Sequence, residues 1–65
     1  MNYELILLNA LNAYLQGKGT LTLIANAKSE FAVKVVLSND TLIGVALDGT
    51  ILYFGLDGNY YVVTL

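Results

Sequence analysis

Sixty-five residues with three basic and five acidic side chains carry a net charge of −2, and at 12% charged the chain holds half the usual share of about 25%. With no Cys and no His it excludes disulfides, nearly all tight transition-metal sites and nucleophilic chemistry built on those residues. A chain this short buries only about 60% of its unfolded surface, so without such staples it is expected to gain stability by oligomerising.

The first run, from Tyr3 to Gln16, lacks Gly and Pro. Asn2 is suited to cap it, Glu4 falls in the first turn where a helix favours negative charge, and Gly17 supplies a left-handed stop with Lys18 beside it. The sequence predicts one helix over 3–16. Asn9, Asn12, Ala13 and Gln16 share a polar stripe interrupted by Leu5, while Leu7, Leu8, Leu11, Tyr14 and Leu15 cover most of the remaining circumference. So wide an apolar arc predicts cover on more than one side.

Five strands are predicted next, over about 20–26, 31–37, 41–47, 50–56 and 59–65, giving an α+β domain spanning 1–65. The last three belong to nine-residue units that begin with Asn39-Asp40, Asp48-Gly49 and Asp57-Gly58 and end in leucine. Asp-Gly between β-rich runs signals a two-residue hairpin turn with φ > 0 at both positions. A three-residue Ser38-Asn39-Asp40 loop is expected between the second and third strands, because it pairs Leu37 with Thr41 and keeps Lys34 out of the core. The two-residue turns then place Val45 opposite Leu52, Ile43 opposite Phe54 and Phe54 opposite Tyr61. The other face gains Gly44 opposite Tyr53 and Gly55 opposite Tyr60, so that a ring shields each bare glycine.

In that register the helix packs on one face of a five-stranded antiparallel meander ordered one to five. Ile24, Val36, Leu42, Ile51, Tyr53, Tyr60 and Val62 lie together on the other, an apolar surface larger than monomers normally leave in water. These seven residues are the expected interface. The fifth strand, NYYVVTL, has no charge and no Pro. It is read as an edge that the assembly must protect, by pairing with its equivalent or lying under a partner's helix.

Catalysis is poorly supplied. Ser29 and Ser38 fall in predicted turns, which accounts for both. Asp40 and Asp57 come to the same end of the sheet and could form a dyad or hold Ca²⁺ weakly, but Asp in a hairpin turn already has a backbone explanation. Tyr53, Tyr60 and Tyr61 could stack on bases, yet three dispersed lysines and no arginine leave little to neutralise phosphates. No apolar stretch is long enough to span a bilayer, the N-terminus lacks the marks of a signal peptide, and the helix has no basic face for a membrane surface. The expectation is a cytoplasmic chain with no metal, cofactor, nucleic acid or membrane span, and no enzymatic activity.

The helix, Gly19-TLTL, the strand VKVVL, the turn Ser38-Asn39-Asp40 and the strand TLIGVAL together resemble the small α+β domains of unknown function found in archaeal proteins and near PatA-type bacterial response regulators. The likeness covers residues 5 to 47, with Asn39-Asp40 where those domains carry a turn glycine. It implies a dimerisation or protein-interaction module without catalytic residues. The expected function is therefore a small homo-oligomeric structural or interaction module; the competing expectation is a small-molecule binder using a tyrosine-lined apolar sheet face.

Overall fold

The computed structural model describes residues 2–24 and 30–65. One helix, α1 (Tyr3–Leu15), precedes five strands: β1 (Thr20–Ile24), β2 (Phe31–Val36), β3 (Leu42–Ala46), β4 (Ile51–Phe54) and β5 (Tyr60–Thr64). The Asn2 side chain accepts the Leu5 N–H at 3.1 Å, which satisfies one of the free amides at the helix start. At the other end Gly17 takes φ +70°, the Gly17 N–H donates to Tyr14 O at 3.0 Å, and the Lys18 N–H donates to Ala13 O at 2.8 Å. This pair of bonds is the Schellman arrangement, and it closes the helix where the glycine predicts.

The sheet is antiparallel throughout, in the order β1-β5-β4-β3-β2. The last four strands form the expected meander. The first does not join its sequence neighbour: β1 pairs with β5, Leu21 opposite Val63 and Leu23 opposite Tyr61, so β5 is an interior strand and the edges are β1 and β2. The expected order of one to five and the expected C-terminal edge are both overturned. Each of the three tight hairpins has an Asx residue followed by a residue in the left-handed region, whereas the 25–30 segment joining β1 to β2 has neither glycine nor an Asn-Asp or Asp-Gly pair. The predicted turn and Ser29 fall largely on residues 25–29, outside the described residues.

All three hairpins share one loop. Asp40, Gly49 and Gly58, nine residues apart, have φ +65°, +90° and +80°. Each donates its N–H three residues back, to the carbonyls of Leu37, Ala46 and Gly55, at 2.9–3.1 Å, and the N–H groups of these same three residues donate to the carbonyls of Thr41, Thr50 and Asn59 at 2.8–3.0 Å. The connection is a three-residue loop with a left-handed third residue, as expected at 38–40 but not at the two Asp-Gly sites. One extra loop residue shifts the register by one, so the pairs become Ile43 with Tyr53, Gly44 with Leu52, Tyr53 with Tyr61 and Leu52 with Val62.

On the helix side lie Val33, Val35, Ile43, Val45, Ile51, Tyr53, Tyr61, Val63, Leu21 and Leu23. The helix covers β2, β3 and β4, Ala10, Ile43 and Val45 are all buried, and Tyr3 anchors the helix start by donating to the Leu47 carbonyl at 2.7 Å. The other side curls on itself. A bulge between Phe31 and Val33 turns Phe31 to this face, where its ring lies on Gly44 and approaches Tyr60, 6.5 Å away by ring centroids, although β2 and β5 are three strands apart. Flat strands that far apart would be separated by about 14 Å, so the sheet bends around this face and closes Phe31, Phe54 and Tyr60 over buried Leu52 and Ala46. Shielding of the glycines by rings is present, with different rings: Phe31 over Gly44, and Tyr53 and Tyr61 beside Gly55.

Candidate functional site

The seven expected interface residues do not share a face. Ile24, Val36, Leu42, Tyr60 and Val62 lie on the curled side, but the register places Ile51 and Tyr53 on the helix side. Of the five, Val36 is 63% exposed, while Ile24, Leu42, Tyr60 and Val62 are half-buried, because the bend folds their surface inward.

The one-residue shift instead gathers tyrosines beside the helix. Tyr14 from α1 lies 5.4 Å by ring centroids from Tyr53 of β4, and their hydroxyls stand 3.4 Å apart. Tyr61 of β5, cross-strand partner of Tyr53, has its ring 6.2 Å from it. The Tyr61 hydroxyl donates to Asp57, and the same carboxylate accepts the Asn59 N–H at 3.1 Å. Gly55 makes room for this cluster: a Cβ there would stand 2.9 Å from Asp57, 3.3 Å from Tyr61 and 3.4 Å from Tyr53. Leu21, Tyr53, Gly55, Leu56, Asp57 and Tyr61 line an open groove of about 360 Å³.

Electrostatics follow these contacts. The Tyr61 hydroxyl, then the Asn59 N–H, hold the Asp57 carboxyl below the ordinary 3.8. Reciprocally, the Asp57 carboxylate raises Tyr61 above 10.0, because loss of the phenolic proton would set two negative charges together. Tyr53 is raised as well, first by the Tyr14 hydroxyl and then by burial. Neither tyrosine is thereby activated as a base or nucleophile near neutral pH.

Three loop side chains have backbone partners. Asn39, Asp48 and Asp57 occupy the same place in each loop, and each accepts the N–H two residues on, from Thr41, Thr50 and Asn59. Asp40 sits at the left-handed position of its loop, at the same end of the sheet as Asp57. Among the described residues no group of three or more acidic side chains gathers that could hold a metal ion.

Sequence reasoning missed the exposed apolar row on the helix side. The helix stops short of covering β1, which leaves Leu21 46% and Leu23 59% exposed, and Leu5, Leu8 and Leu15 project from the helix itself. The signal was available in the alternation of Thr20-Leu21-Thr22-Leu23, but it identifies an exposed surface only once β1 is known to flank β5. No helix among the described residues is long and apolar enough to cross a membrane. No family model, curated protein or solved structure matches this chain.

Proposed function

We propose that this chain is a small homo-oligomeric structural or protein-interaction module without catalytic chemistry. The observation that carries the reading is the exposure of Leu5, Leu8, Leu15, Leu21, Leu23, Val36, Leu47, Leu56 and Leu65 on a molecule with only three basic and five acidic side chains. Scattered apolar residues are normal on a monomer, but so many on so small a surface favour contact with another protein surface. The absence of cysteine fits a reducing, cytoplasmic compartment. Light scattering at several concentrations tests the reading: at micromolar protein the mass is expected at twice 7.0 kDa or more. A mass of 7.0 kDa across that range overturns it.

A second reading, a small-molecule binder, is favoured by the tyrosine groove, where Tyr53, Tyr61, Leu21 and Leu56 offer an apolar wall and Asp57 a polar end. Native mass spectrometry of freshly purified protein tests it. A stoichiometric adduct lost on denaturation supports this reading, and a bare chain mass removes it.

A further inference from the structure

We infer that the β1 edge is the self-association surface, pairing antiparallel with β1 of a second copy across a two-fold axis at Thr22. The inference rests on the homo-oligomeric reading and specifies its contact.

The backbone of β1 is left open on its outer side. Gly55 N–H bonds Asn59 O at 3.0 Å, which fixes the alternation along β5: Tyr61 and Val63 turn their backbone groups to β4, and Tyr60, Val62 and Thr64 turn theirs to β1. Across the β1–β5 ladder these meet Thr20, Thr22 and Ile24. Leu21 and Leu23 therefore aim their N–H and C=O outward, and among the described residues no strand pairs with that side. An edge of this kind is a template for another strand.

The two edges of the sheet differ in what they would accept. On β2, Lys34 stands mid-strand and the bulge between Phe31 and Val33 breaks the ladder, both features that discourage strand addition. A two-fold pairing of β2 centred on Lys34 would set lysine against lysine. β1 reads TLTLI, with no charge, proline or bulge.

Its sequence is complementary to itself. Centred on Thr22, an antiparallel pair sets Leu21 opposite Leu23 of the second copy on the helix side, and Thr22 opposite Thr22 on the curled side. The pairs Leu21 with Leu23 fall where both backbones point outward, so each exchanges two bonds, about four in all, and every residue of β1 finds a partner. Centring on Leu21 instead would leave Ile24 unpaired. The apolar surface of Leu21 and Leu23 is thereby buried in part, and the two sheets become one.

Thr22 at the axis is a non-hydrogen-bonded pair, with Cα atoms about 4.5 Å apart, inside the range of about 4.4–6.8 Å that a disulfide spans. The exposed Thr22→Cys variant, oxidised at micromolar concentration, is expected to run as a covalent dimer on a non-reducing gel, while Val36→Cys on the β2 edge stays monomeric there. A second pair of variants guards against a cysteine that perturbs the strand. Leu21→Lys with Leu23→Lys sets lysine against lysine and should lower the scattering mass to 7.0 kDa, and mixing it with Leu21→Glu plus Leu23→Glu should restore the dimer. A wild-type dimer in which Thr22→Cys fails to cross-link and the Lys and Glu variants each still dimerise overturns the β1 assignment alone. A monomeric wild type overturns it together with the homo-oligomeric reading.

Discussion

At the scale of single residues, the loop position with positive φ makes the sharpest claim. Gly58 has open space where a Cβ would go, so the cost of a side chain there is purely conformational. Gly58→Val should destabilise by about 1–2 kcal/mol in chemical denaturation, because an L residue pays roughly that to enter the left-handed region and a β-branched one pays most. Asp40 occupies the equivalent position, so Asp40→Gly should be neutral or stabilising, by up to about 1 kcal/mol. The opposite order of effects would mean that the three loops are not equivalent. Asp57 offers a second test. Its folded carboxyl lies below 3.8, so its contribution to stability is present above the unfolded value and is lost as pH falls through the folded one. Tyr61→Phe should let the Asp57 titration rise toward 3.8 when followed by carboxyl-carbon NMR; an unmoved titration would show that the hydroxyl does not hold it.

At the scale of elements, the helix and every strand lie within the spans read from the sequence, because capping residues and β-rich runs are local signals. The faces were less legible. Periodicity says that Tyr53 and Leu52 point oppositely, but only the loop length says which way, and Asp-Gly is compatible with both a two-residue and a three-residue connection. The nine-residue spacing of Asp40, Gly49 and Gly58 held the answer, since one loop type repeated three times implies the three-residue form at all of them. The pairing of β1 with β5 is non-local and left no such mark beyond the missing turn signature between β1 and β2. Packing on the curled face gives a test of this register. A Cβ on Gly44 would collide with the Phe31 ring and stand 3.0 Å from the Val33 carbonyl. Gly44→Ala should therefore cost about 1–3 kcal/mol, and Phe31→Leu in the same chain should recover part of that. Additive costs would place the ring elsewhere. Leu52→Ala, removing a side chain 2% exposed, should cost about 2–5 kcal/mol.

At the scale of the whole molecule, the sheet has apolar side chains on both faces, one closed by the helix and the other by its own curvature. Among the described residues the β1 and β2 edges stay open, and a second copy is held to close the first together with Leu21 and Leu23 beside it. Amide hydrogen exchange at dilute and concentrated protein tests this directly, because the two ladders flanking β1 should respond differently. Tyr60–Thr64 should exchange slowly at every concentration, since β5 is paired on both sides within one chain. Leu21 and Leu23 amides should exchange rapidly in dilute solution and slow down as the dimer fills. Equal, rapid exchange of Leu21 and Leu23 at both concentrations would contradict it.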